Sequence, residues 1–125
     1  MVAERRCSVS IVFVFGSNLA GVHGAGAARE AHQRWGAIYG KGVGRAGSSY
    51  AIPTKDRDIR TMPVEAIAPY VADFVAYAAC HPEDSFLVTA IGCGLAGHDP
   101  RDIAPMFAGA TENVFLSEKL VAALR

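Results

Sequence analysis

Val9-Ser10-Ile11-Val12-Phe13-Val14-Phe15-Gly16-Ser17-Asn18-Leu19-Ala20-Gly21-Val22-His23-Gly24-Ala25-Gly26-Ala27-Ala28 passes from a β-branched and aromatic run, through a glycine-rich turn, into an alanine-rich stretch. Val9 to Phe15 is so continuously apolar that it predicts a strand covered on both faces. Gly16 to His23 predicts a loop, and Gly24 to Trp35 a helix closed by Gly36. A buried strand that feeds a helix through small residues is the opening unit of an α/β sheet with helices on both faces.

The rest of the chain continues the alternation. Gly40 to Ser49 holds four glycines and two basic residues and predicts a mobile loop, with Lys41 and Arg45 facing solvent or, as the alternative, carried over a bound phosphate by the loop. Tyr50 to Pro53 predicts a short strand. Between Pro63 and Cys80, the residues Val64, Ile67, Ala68, Val71, Phe74, Val75 and Ala78 recur at three- and four-residue spacings, which is one face of a helix. Pro69 lies inside that pattern and removes one intrahelical hydrogen bond, so a kink or a late start is expected. Ser85 to Ile91 predicts a second apolar strand and Gly92 to His98 a second glycine-rich loop. Asp99-Pro100 opens a short helix in cap and first-turn positions. Asn113 to Leu116 predicts a last strand and Glu118 to Arg125 a last helix.

The chain has 125 residues, room for one domain and one core. At this length a core can hold without disulfides or metals. Acidic and basic residues balance at twelve each, which gives no general attraction to nucleic acid or to an acidic membrane face. Any anion must be held by local geometry. Cys7, Cys80 and Cys93 are scattered, with no metal-ligand spacing and no disulfide frame. The apolar run after Arg5 and Arg6 is too short for a membrane span and lacks a cleavage pattern. A cytoplasmic protein with no cofactor and no metal is expected.

The chemistry is in the loops. The first loop, Gly16, Ser17, Asn18, Leu19, Ala20, Gly21, Val22, His23, Gly24, Ala25 and Gly26, lies before a helix N-terminus. There the first N–H groups have no partner, and the helix dipole places about half a positive charge. Glycines allow close approach to a ligand, so the loop suits a phosphate. Gly16 to Gly21 has Walker-loop spacing, but Val22 and His23 stand where Lys and Ser/Thr are required, which argues against nucleoside triphosphate hydrolysis. The second loop, Gly92, Cys93, Gly94, Leu95, Ala96 and Gly97, fits GxGxxG. Only 28 residues follow it, too few for the rest of a dinucleotide-binding fold. Each loop alone reads equally as turn chemistry. Their shared position, after an apolar strand and before a helix, points to one ligand cleft at the carboxyl edge of the sheet. Cys93 reads as a small tolerated residue, with a nucleophile paired to His98 as the alternative. Trp35 and Tyr39 read as core or as stacking surface.

Together with Ile52-Pro53-Thr54-Lys55 between them, the two loops resemble the macrodomain family, which binds ADP-ribose. Ser17-Asn18 through Gly24-Ala25-Gly26-Ala27 is similar to the family's first binding loop. Ile91-Gly92-Cys93-Gly94-Leu95 is similar to the second loop of the branch that contains the terminal ADP-ribose protein glycohydrolase. The resemblance covers Val12 to about Phe107. It implies a three-layer α/β/α fold with a mixed, largely parallel sheet. It further implies that pyrophosphate lies between the loops, with the distal ribose near Asn18. In that branch a lysine attacks the ribose anomeric carbon, removing ADP-ribose from acidic side chains of a modified protein, and Lys55 falls at its position. Lys55 reads otherwise as an exposed lysine paired with Asp56 or Asp58. Two departures stand out. Ala96 occupies the place of the branch's acidic residue, with Asp99 three residues later as a stand-in or a helix cap, and the adenine-reading aspartate before the first loop is absent. The Ala96 departure favours a second reading, a non-catalytic sensor or sequestering module for another phosphorylated metabolite.

Overall fold

The computed structural model describes residues 10–125. Arg5, Arg6, Cys7 and the start of the first strand at Val9 lie outside the described residues. Five strands form one mixed sheet: β1 (Ser10–Asn18), β2 (Gly44–Ala46), β3 (Ser49–Lys55), β4 (Asp84–Val88) and β5 (Val114–Leu116). Their spatial order is β2-β3-β1-β4-β5. All neighbours are parallel except β2, which runs antiparallel to β3 at one edge. The helices are α1 (Gly26–Arg34), α2 (Val64–Ala79), α3 (Pro100–Ile103) and α4 (Glu118–Ala123), with a 3-10 turn at Ala104–Phe107.

The two-residue period of β1 divides the core. Val12 and Val14 face α2, α3 and α4, joined by Tyr50, Ile52, Phe86 and Val88 from the neighbouring strands. Phe13 and Phe15 face the other way, where Ala28 and Ala31 of α1 pack with Ala37 and Ala51. The result is the expected three-layer α/β/α arrangement. On the larger face α2 buries Ile67, Val71, Phe74 and Ala78. Phe74 sits at its centre, with its ring edge-to-face with those of Tyr50, Phe86 and Phe107 at 5.1, 5.4 and 6.1 Å. Burying such a ring contributes about 1.5–3 kcal/mol. On the smaller face the half-buried Trp35 stacks on Phe13 at 5.3 Å, and it does not line the cavity described below.

Three expectations need correction. The helix at Val64–Ala79 starts directly after Pro63, so there is no late start, and it carries Pro69 in its interior. The glycine-rich segment Gly40 to Ser49 is not an unattached loop. Gly44–Ala46 pairs with β3, the Ser17 hydroxyl donates to the Gly42 carbonyl, and a Cβ at residue 42 would collide with the Asn18 carbonyl oxygen. Arg45 does not face solvent alone, because it donates to Asp84 at 3.1 Å and to the Tyr77 hydroxyl at 3.0 Å. Glycine spacing hides these contacts because it reports backbone freedom and not what the backbone touches. Pro53 lies inside β3, but β2 ends at the register of Ala51. Pro53 is therefore flanked on one side only, where a strand tolerates a residue without an N–H. No described helix is long and apolar enough to cross a membrane.

Candidate functional site

β1 continues past Phe15 because Gly16, Ser17 and Asn18 pair with Ile52, Pro53 and Lys55 of β3. The register slips between Ser17 and Asn18, leaving Thr54 as the extra residue. Such bulges re-aim side chains at the rim of a sheet. Here the slip brings Asn18, Thr54 and Lys55 to the carboxyl edge, where all three line one cavity of about 550 Å³. That volume lies within the range of small-molecule sites.

The first loop closes on Asn18. Its side-chain amide donates to the Val22 carbonyl at 2.8 Å and accepts the Val22 N–H at 2.9 Å. An asparagine amide carries two N–H groups and two acceptor lone pairs, so one of each remains for the cavity. Beyond this staple the chain reaches Gly24, Ala25 and Gly26, and α1 begins. Ala25 supplies no side-chain cap and the first turn holds no acidic residue, so the helix N-terminus is left open to an anion. Among the described residues no protein acceptor meets the main-chain N–H groups of Gly24, Ala25, Gly26, Ala27 or Ala28. In the second loop the N–H of Cys93 is taken by Ala90, and those of Gly97 and His98 by Gly94 and Gly92. The N–H groups of Gly92, Gly94, Leu95 and Ala96 have no such acceptor among the described residues.

Both loops meet on the one cavity. Gly16, Ser17, Asn18, Gly24, Ala25, Gly26, Lys55, Gly92, Gly94, Leu95 and Ala96 line it. Leu19, Ala20, Gly21, His23, Cys93 and Gly97 do not. Gly21, at φ 73°, is needed elsewhere, since a Cβ there would overlap the Gly40 main chain. His23 is 1% exposed and its Nε2–H donates to the Ile38 carbonyl at 2.9 Å, beneath the loop and against the Phe15 ring. Cys93 donates to the Ile91 carbonyl at 3.4 Å, and burial pushes its thiol pKa up. His98 Nε2–H donates to the Met62 carbonyl at 2.7 Å, so the recorded hydrogen bonds of Cys93 and His98 lead to main-chain carbonyls and not to each other. Tyr39 packs on His32 at 4.6 Å, outside the cavity wall.

Lys55 is the one cationic side chain in the wall, and the wall contains no carboxylate. Neither Asp56 nor Asp58 pairs with it. The Asp56 carboxylate accepts the main-chain N–H groups of Asp58 and Arg60 at 2.8 and 3.0 Å. Asp99 caps α3 by accepting the Arg101 N–H at 2.8 Å, and its other oxygen pairs with the Arg101 guanidinium at 2.9 Å. These hydrogen bonds hold its pKa down at about 2. Asp99 is thus a cap, as one of its two readings had it, and it does not line the cavity. Val22, Thr54, Ile59, Thr89, Ala90 and Ile91 also contribute to the wall. Thr54, Ile91 and Val22 sit inside the motifs quoted above, but nothing in the sequence marks Ile59. Among the described residues no cluster of three metal-ligating side chains exists.

No family model matches the sequence, and none of the curated proteins matches it. The fold is similar to that of a solved structure of DarTG from Thermosipho africanus in complex with ADP-ribose, with a TM-score of 0.61 at 16% sequence identity. The likeness covers 85% of this chain and 38% of that one, so this chain spans well under half of the other's length. The mixed three-layer fold is macrodomain-like.

Proposed function

We propose that this chain is a single ADP-ribose-binding module, with the pyrophosphate held by main-chain N–H groups of the two glycine-rich loops. One observation carries the reading: main-chain segments from both loops with N–H groups unpartnered among the described residues, Gly24 to Ala28 and Gly92, Gly94, Leu95 and Ala96, line the same cavity. In a partly enclosed site such donors replace phosphate hydration without introducing a competing side chain. Lys55 adds one compensating charge. The solved relative in fold was captured with ADP-ribose, which supports the choice of that nucleotide. Scattered cysteines support a cytoplasmic setting.

Hydrolysis of ADP-ribose from an acidic side chain of a modified protein rests on Lys55 alone. As a neutral amine, its Nζ lone pair would form a bond to the anomeric carbon while the bond to the carboxylate oxygen breaks with its electron pair. The amine proton goes to solvent, and water then releases ADP-ribose from the lysine. A carboxylate is stable enough to leave without a general acid. The second reading, a sensor that binds without turnover, is favoured by the carboxylate-free wall and by the engagement of Asp99 with Arg101.

Calorimetry with ADP-ribose, AMP and inorganic pyrophosphate tests the binding claim, and no heat from any of the three defeats it. Incubation with a protein ADP-ribosylated on glutamate separates the two readings. Release that disappears in Lys55→Ala marks an enzyme, and retained affinity without release marks a sensor.

A further inference from the structure

Ile59 has φ 62°, and no other described residue apart from glycines has a positive φ. A β-branched residue is strained in this left-handed conformation, and such strain persists only where surrounding contacts over-determine it. Here they are identifiable. Lys55 and Thr61 form an antiparallel bridge. Inside it the Ile59 N–H donates to the Asp56 carbonyl at 3.1 Å, and the Asp56 N–H donates to the Arg60 carbonyl at 2.8 Å. The Asp56 carboxylate straddles Ile59, accepting N–H groups from Asp58 and Arg60 on either side of it. At the hairpin's far side the Thr61 hydroxyl donates to the Ala96 carbonyl at 3.0 Å, anchoring the hairpin to the second loop. A free turn of this length would relax the strain, whereas this one is held at both ends.

What the strain achieves is visible in the cavity. Ile59 is 44% exposed, yet it forms part of the wall on the same hairpin that Lys55 begins. Val22 and Leu95, 48% and 73% exposed, line the cavity from the first and second loops. Three separate segments therefore each bring an unburied aliphatic residue to one rim. We propose that Asp56 is a positioning residue that holds Ile59 in its left-handed conformation, so that Ile59 forms an apolar wall beside Lys55. The C–H face of a bound ribose closes against that wall. This inference rests on the ADP-ribose reading of the cleft and adds a determinant that neither glycine loop contains.

The test is calorimetric titration of ADP-ribose into the full chain and its variants, with thermal melting in parallel. Wild type is measured first, and its silence overturns the ligand reading and this inference together. Ile59→Gly and Ile59→Asn both accept a positive φ. They should melt no lower than wild type and bind about tenfold more weakly, the scale of a lost aliphatic contact. Asp56→Ala should lose a similar factor, and Asp56→Asn, which keeps an acceptor oxygen, should recover most of it. The double variant Asp56→Ala/Ile59→Gly should bind no more weakly than either single one, because both remove the same contact. Binding by wild type with unchanged affinity in Ile59→Gly overturns the wall while leaving the ligand reading intact. Losses that multiply in the double variant overturn the link between Asp56 and Ile59. Should Asp56→Ala fail to fold, the two Ile59 variants decide.

Discussion

The main chain of Gly16 runs so close to that of Gly92 that a Cβ on residue 16 would lie 3.3 Å from the Gly92 nitrogen. The end of β1 and the turn after β4 are therefore in contact, and the two glycine-rich loops rise from a common floor. Gly16→Ala forces that floor apart by a few tenths of an ångström, since few Cβ atoms approach backbone so closely. The expected outcome is weakened ADP-ribose affinity with a modest loss of stability, read by calorimetry and melting of the same sample.

Glycines of the two loops should divide into two classes by variant. Gly21→Ala meets the Gly40 main chain and a positive φ, and should cost about 2–4 kcal/mol of stability from strain and overpacking combined. Gly24→Ala and Gly94→Ala meet nothing within 4 Å. They should leave the denaturation midpoint unchanged while lowering ADP-ribose affinity, because the added methyl intrudes only on the ligand. Urea denaturation beside calorimetry checks both classes.

This division also shows what could be read in advance. The strand–loop–helix units, a sheet with helices on both faces and the helix face at Ile67, Val71, Phe74 and Ala78 follow from periodicity, and the structure has them. Gly24, Gly26, Gly92 and Gly94 line the cavity. Gly21 and His23 share the same loop and do not line it, because one faces a segment about twenty residues away and the other the underside of the loop. Spacing within a loop does not encode which long-range neighbour a residue meets. Ile59 is the extreme case: its place in the wall depends on a backbone conformation that its own side chain disfavours.

The Arg45–Asp84 pair ties the edge strand β2 to β4. Asp84 is nearly buried, at 7% side-chain exposure, and Arg45 is at 28%. Burial opposes the Arg45 charge, but hydrogen bonds with Asp84 and Tyr77 outweigh it and raise the guanidinium pKa. Arg45→Ala strands a buried carboxylate and should cost about 1–3 kcal/mol after allowing for the partial exposure. Affinity for ADP-ribose should hold, since neither residue lines the cavity. Urea unfolding with calorimetry checks this.

Asp99 supplies a pH signature. Its carboxyl pKa is lowered from 3.8 to about 2 by the Arg101 side-chain hydrogen bond and then by the Arg101 main-chain N–H. A depressed folded-state value means that the cap's contribution is complete above about pH 4 and is lost as pH falls toward 2. A carboxyl NMR titration should place the Asp99 midpoint near 2, and Arg101→Ala should move it upward. A midpoint that stays put in Arg101→Ala would remove the guanidinium as its main cause.

Amide chemical-shift mapping during a titration with ADP-ribose most directly tests the shared cleft. The N–H signals of Gly24 to Ala28 and of Gly92 to Ala96 should shift together, with one midpoint, as one anion is received by both segments. Shifts confined to a single segment, or two midpoints, would contradict a cleft built by both loops.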